Sequence, residues 1–156
     1  MSMSDEAFED FVAQLQNQAF ADARAAYGEA GFERWRTPRF NGPLQDSDAS
    51  GGLKGGCGDT IHIYLKFKDQ RVDKASYTTD GCASSSLCGS FTAELAHGRN
   101  PEELLELEPE DVLNRIGTFP EGEKHCATLA IKALQEAVNN YMISVARKNR
   151  QGTTSG

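Results

Sequence analysis

No stretch of this chain approaches the roughly 20 consecutive apolar residues needed to cross a bilayer, so a membrane span is not expected. Basic residues are also scarce: 16 Lys and Arg stand against 23 Asp and Glu, a formal net charge of −7. That balance argues against a broad nucleic-acid surface and against attraction to anionic lipid. The N-terminus carries Asp5, Glu6, Glu9 and Asp10, where a signal or transit peptide would be basic, so a cytoplasmic, reducing setting is expected. In such a setting four cysteines read as ligands or reactive thiols rather than disulfides. Internal repeats and linkers are lacking too, and 156 residues suit one domain with its own core.

The elements follow from periodicity. Phe8, Phe11, Val12, Leu15, Ala19 and Ala23 recur at helical intervals, predicting a helix from Asp5 to Tyr27 that Gly28 and Gly31 end. Asp46 to Gly56 is a Ser/Asp/Gly-rich loop with room for a short edge strand at Ala49–Lys54. Ile61, Ile63, Leu65 and Phe67 alternate with polar residues, and after Asp69-Gln70 a second strand returns over Val72 to Thr79, as in a hairpin. Ala83, Leu87, Phe91 and Leu95 mark one apolar stripe of a helix that Gly98 ends. Asn100-Pro101-Glu102-Glu103 has the order of a helix start, and a further short helix spans Pro109 to Ile116. A long last helix begins near Lys124 or His125, with Ala127, Leu134 and Tyr141 at heptad spacing beside Ile131, Val138 and Val145. The acidic run Glu102, Glu103, Glu106, Glu108, Glu110 and Asp111 reads as a solvated helix face or, alternatively, a docking patch for a basic partner.

Three cysteines sit in similar settings. Cys57 lies in Gly55-Gly56-Cys57-Gly58-Asp59, Cys82 follows Gly81 ahead of Ala83-Ser84-Ser85-Ser86, and Cys126 follows Lys124-His125. Cys82 and Cys126 fall at predicted helix N-termini, where free N–H groups favour a thiolate; Lys124 adds a positive charge beside Cys126. In an extended segment Cys57 and Asp59 share a face. Thiolates with a carboxylate or imidazole suit zinc, ferrous iron or an iron–sulfur cluster. The intervals are not those of a zinc ribbon, so spacing alone leaves open a shared, exposed metal–thiolate site or separately buried small cysteines. Cys88 reads as a buried apolar residue, and His62 and His97 as structural.

Taken together, Gly56-Cys57-Gly58-Asp59, Gly81-Cys82 before a serine-rich helix start, and His125-Cys126 opening the last helix resemble the IscU/NifU-type iron–sulfur cluster scaffolds. Pro38, Arg39 and Gly42 match that family's Pro-Arg-x-x-Gly entry segment, and the likeness covers Arg34 to Met142. The resemblance implies an α+β fold: a small antiparallel three-stranded sheet with helices packed on it and a long C-terminal helix, here with an extra N-terminal helix. It divides the chain into a helical extension (1–33), a scaffold domain (34–147) and a disordered tail (148–156). It further implies that Cys57, Cys82 and Cys126, with Asp59 and His125, bind a labile [2Fe–2S] cluster or its iron, or zinc in a purified sample. Cys126 would accept persulfide sulfur, with Lys124 as an assistant.

The implied partners are a cysteine desulfurase, iron and electron donors of the frataxin-like and ferredoxin types, and apo-protein acceptors; no nucleic acid or membrane is implied. A non-enzymatic, cytoplasmic scaffold is the expectation. A zinc-dependent, SufU-like sulfur acceptor that stimulates the desulfurase is the alternative. Several features depart from the pattern. The segment grasped by an Hsp70-type chaperone, Leu-Pro-Pro-Val-Lys, is replaced by Phe119-Pro120-Glu121-Gly122-Glu123, which puts chaperone assistance in doubt. His125 and the unextended stretch after Cys82 favour the IscU/NifU branch over SufU. The further cysteine-bearing segments of longer NifU proteins are not seen in this sequence.

Overall fold

The computed structural model describes residues 4–56 and 58–154, with side chains to residue 150. Three strands form an antiparallel sheet in the order β1 (Ala49–Lys54), β2 (Thr60–Lys68), β3 (Arg71–Thr79). Ile61, Ile63 and Leu65 of β2 have no solvent exposure, while His62 on the other face is exposed. The two-residue turn Asp69-Gln70 takes positive φ at both positions (54° and 66°), the handedness that matches strand twist in a tight hairpin. In β3 the pairing passes from Lys66↔Lys74 to Phe67↔Val72, skipping Asp73. The extra residue makes a bulge, and it turns Val72 onto the same buried face as Ala75 and Tyr77. Simple alternation along the strand would put Val72 on the opposite face.

Among the described residues five α-helices accompany the sheet: α1 (Asp5–Arg36), α2 (Ala83–Ala96), α3 (Pro101–Leu105), α4 (Pro109–Ile116) and α5 (His125–Thr154). The arrangement is α+β. Helix α5 packs on β1 and β2, and α2 packs on β3 and α5, with α3 and α4 against them. The core joins the buried strand face to Leu87 and Phe91 of α2, Val112 and Ile116 of α4, and Ile131, Leu134 and Val138 of α5. At Gly51 an added Cβ would run into the α5 backbone at Ala133 and Ala137, so the missing side chain is what lets α5 lie against β1. More of α2 is inside than one stripe: Ser84, Ser85, Ser90 and Thr92 are buried as well.

Both ends of the chain are more helical than expected. The helix breaks at Gly28 (φ 72°, ψ −177°) but resumes to Arg36, with Phe32 and Arg34 buried. Gly31 is not a terminator; a Cβ there would meet Tyr27 of the same helix at 2.6 Å and Ile116 of α4 at 3.3 Å, so the position is tightly covered. Arg34 bonds Ser90 at 3.0 Å and Glu94 at 2.6 Å, tying α1 to α2. At the other end α5 continues to Thr154, past Arg147, where a disordered tail was expected. Its apolar face is buried only to Val138; Val145 is exposed, and Tyr141 stacks on Phe67 with centroids 3.7 Å apart.

The acidic run works locally at helix starts. Asn100 and Glu103 form a capping box at α3, Glu108 and Asp111 another at α4, and Glu103 also pairs with Arg71. The entry segment is pinned to β3: Gly42 N–H donates to Tyr77 O and Tyr77 N–H to Phe40 O, both at 2.8 Å. No described helix is long and apolar enough to cross a membrane.

Candidate metal and sulfur site

The sheet and two helices meet at one corner. The start of β2 and the end of β3 are fastened by Thr60 N–H to Asp80 Oδ1 (2.7 Å), Thr79 Oγ1 to Thr60 O (2.7 Å) and Gly81 N–H to Thr79 Oγ1 (3.0 Å). These bonds set Asp59, just before β2, beside Gly81 and Cys82. A Cβ on Gly81 would lie 2.5 Å from the Asp59 carboxylate, so only glycine leaves that carboxylate its place. The loop before it is a tight turn with Gly58 at φ 94° and Gly55 N–H bonded to Asp59 O at 2.8 Å.

Cys82 is the N-cap of α2 and is exposed, and its side chain makes no cap bond. Its Sγ lies 3.8 Å from Asp59 Oδ2. Ser85, on the first turn of α2 and fully buried, donates to the same Oδ2 at 2.7 Å and lies 3.4 Å from Cys126 Sγ. Cys126 is the second residue of α5, so its sulfur, like that of Cys82, sits at the positive end of a helix dipole. It has no solvent exposure, however, whereas an exposed site was expected. A single 3₁₀ turn, Glu121–Glu123, precedes α5. It puts Glu123 Oε2 3.9 Å from Cys126 Sγ, while His125 Nε2 lies 3.7 Å away. One donor atom each from Glu123, His125 and Cys126 falls within 4.8 Å of the others, and the three could hold a metal ion.

Of the residues singled out in the sequence, Asp59, Cys82, His125 and Cys126 thus join one chain of contacts, with Ser85 between Asp59 and Cys126. Cys57 lies outside the described residues. Its neighbours Gly55 and Gly56 line a groove together with His125, Thr128 and Lys132. The Lys124 ammonium is bonded to Glu121 Oε1 at 2.6 Å. Cys88 is buried, and burial first, then the charges of Cys126, Cys82 and Glu123, push its thiol pKa well above the usual range.

Three residues of this corner were not read as members of a site: Ser85, Glu123 and Tyr27. The Tyr27 hydroxyl is 2.7 Å from Ser84 Oγ, and its ring lies against Phe119, with centroids 5.6 Å apart. Burial raises the Tyr27 pKa; the Ser84 bond opposes this, and the charges of Cys82, Glu123 and Cys126 add to it. Helical spacing offered a signal for Ser85, which is one turn beyond Cys82 and so on its face. Glu123 is likewise one turn before Cys126. Tyr27 had no local signal.

A small antiparallel sheet, a cysteine-capped helix and a long helix opened by His-Cys define a class of α+β domain with two thiols at neighbouring helix starts. Residues 26–148 match the NifU-like N terminal domain family, and the chain belongs to that family. The "Iron-sulfur cluster assembly scaffold protein IscU 1" of Archaeoglobus fulgidus is 34% identical over 124 residues, covering 79% of this chain and 78% of that one. The "Iron-sulfur cluster assembly scaffold protein IscU" of Azotobacter vinelandii is 30% identical over 121 residues, covering 74% and 94%. Among solved structures, the N-terminal part of a NifU-like protein from Brucella abortus superimposes with a TM-score of 0.59 at 20% identity, over 76% of this chain and 96% of that one.

Proposed function

We propose that this protein is a scaffold on which a labile [2Fe–2S] cluster is assembled from desulfurase-derived sulfur and ferrous iron, then passed to apo-proteins. The observation that carries the reading is the contact chain Cys82–Asp59–Ser85–Cys126, which gathers two thiols and a carboxylate at the starts of α2 and α5. Family membership and relatives named as scaffold proteins support it. Cys57, Cys82 and Cys126 are assigned as cluster ligands, Asp59 as the carboxylate that keeps the cluster labile, and His125 as an alternative ligand.

Sulfur arrives when the Cys126 thiolate attacks the terminal sulfur of the desulfurase persulfide. The S–S bond in the donor breaks, a new one forms on Cys126, and the donor thiolate leaves. Two sulfane sulfurs need four electrons to become sulfide. Two ferrous ions supply two by becoming ferric, and an electron donor of the ferredoxin class supplies the other two. The division of the chain into an N-terminal helical extension and a scaffold domain is part of this proposal, with the boundary moved to residue 26 where the family match begins.

The test is anaerobic incubation of the full chain with a cysteine desulfurase, cysteine, ferrous iron and a reductant. Visible absorption and circular dichroism of a [2Fe–2S] centre should grow in, and an apo-ferredoxin should acquire that signal on mixing. Faster desulfurase turnover with zinc bound and no cluster would overturn the scaffold reading in favour of a zinc-dependent sulfur acceptor. Asp59→Ala should give a cluster that decays more slowly; an unchanged lifetime would remove the role given to that carboxylate.

A further inference from the structure

The corner described above contains two groups of donors that share Cys126. On one side Asp59 is taken up by Ser85, at 2.7 Å, and by Cys82, at 3.8 Å. On the other, Glu123 and His125 face the Cys126 sulfur at 3.9 and 3.7 Å. We infer that Glu123 is a protein ligand for a divalent cation, ferrous iron or zinc, and that with His125 and Cys126 it forms the place where a single ion is first held.

The distances carry this. A tetrahedral ion bound by sulfur at about 2.3 Å and by nitrogen or oxygen at about 2.1 Å sets those donors about 3.6 Å apart. The two measured separations from sulfur are within a few tenths of an ångström of that edge, and all three donor atoms lie within 4.8 Å of one another. A rotation of the Glu123 side chain, which is only half-buried, closes the remaining gap. The donor set is mixed: a thiolate and an imidazole suit zinc and iron, and a carboxylate adds a hard, anionic donor. A dication placed between the Glu123 carboxylate and the Cys126 sulfur is attracted to both donors. The nearest cation in sequence does not take this part, because the Lys124 ammonium is held by Glu121 at 2.6 Å. Among the described residues three protein donors meet here, and a tetrahedral ion would take one further ligand beside them.

This deepens the scaffold reading and rests on it for the purpose of the ion, but its test does not need cluster assembly. The full-length apo-protein is titrated anaerobically with Co(II), reading the thiolate-to-metal charge-transfer and ligand-field bands, and then with Zn(II) in competition. Glu123→Gln should weaken Co(II) and Zn(II) binding by about tenfold or more and shift the ligand-field bands. Glu123→Asp should recover part of the affinity. Glu121→Gln, which removes a carboxylate from the same turn, should bind within about twofold of the natural chain, a difference of about 0.4 kcal/mol. Wild-type affinity and spectra in Glu123→Gln, or equal losses in the Glu121 and Glu123 variants, overturn the inference. Glu123-dependent binding in a protein that never forms a cluster would leave the inference standing and remove the scaffold reading; the converse result would do the opposite.

Discussion

Ser85 shows how much of this site depends on one small side chain. Its hydroxyl is fully buried and bridges a carboxylate and a thiol that come from different parts of the chain. Ser85→Ala leaves Asp59 without that donor and should destabilise the fold by about 1–3 kcal/mol, measured by urea unfolding of the apo-protein. Its role was hidden because three consecutive serines after Cys82 read equally well as helix-start residues. The cysteines were easier to see: glycine before Cys82, glycines around Cys57 and histidine before Cys126 mark special positions in the sequence itself. What their spacing could not convey is that Cys126 is inside and Cys82 outside, since that depends on what packs around each sulfur in the fold. The difference has a measurable consequence. Iodoacetamide should label Cys82 well before Cys126 and spare Cys88 in the folded state, followed by peptide mass spectrometry. Because burial raises the Cys88 pKa, that thiol stays protonated and unreactive as pH rises to 9, while an exposed thiol reacts faster. Rapid folded-state labelling of Cys88 would contradict its place in the core.

At the scale of elements, strand β2 was legible because its alternation is unbroken from Ile61 to Phe67. Strand β3 was legible only as a strand. The bulge at Asp73 changes which face Val72 occupies, and nothing in Arg71-Val72-Asp73-Lys74 announces an unpaired residue. Strand β1 was placed correctly at Ala49–Lys54, yet its Gly-Gly pair looked like loop chemistry. The structure gives a packing reason for Gly51, against which the α5 backbone rests. Gly51→Ala must therefore push β1 and α5 apart or be accommodated by strain. A loss of about 1–3 kcal/mol in urea unfolding is expected, and an unchanged midpoint would show that this contact is looser than described. The stop assigned to Gly31 failed for a related reason: a glycine covered by Tyr27 of its own helix and by Ile116 of α4 looks, in sequence, like one that ends its helix.

Across the whole molecule, the first half of α1 stands apart from the core. Phe8 and Leu15 are 57% and 55% exposed, and Phe11 and Val12 are also exposed. Helical spacing identified the stripe, but periodicity alone does not say whether anything covers it. The second part of the helix is different, with Phe20 against Phe32 and Trp35, and Tyr27 bonded to Ser84. Removal of residues 1–17 should therefore change the unfolding free energy by less than about 1 kcal/mol, within the range of surface changes. Removal through Tyr27 should lower it clearly, by loss of those ring contacts and the Tyr27–Ser84 bond. Equal stability of the two truncated proteins would show that residues 18–27 contribute nothing to the packed domain.

Cys126 has no solvent exposure, with Ser85 and Glu123 among the groups at its sulfur, and this constrains access to it. On the scaffold reading, a bulky donor would reach that sulfur only as the groups packed around it give way. The burial that would slow its loading would also shelter whatever it carried.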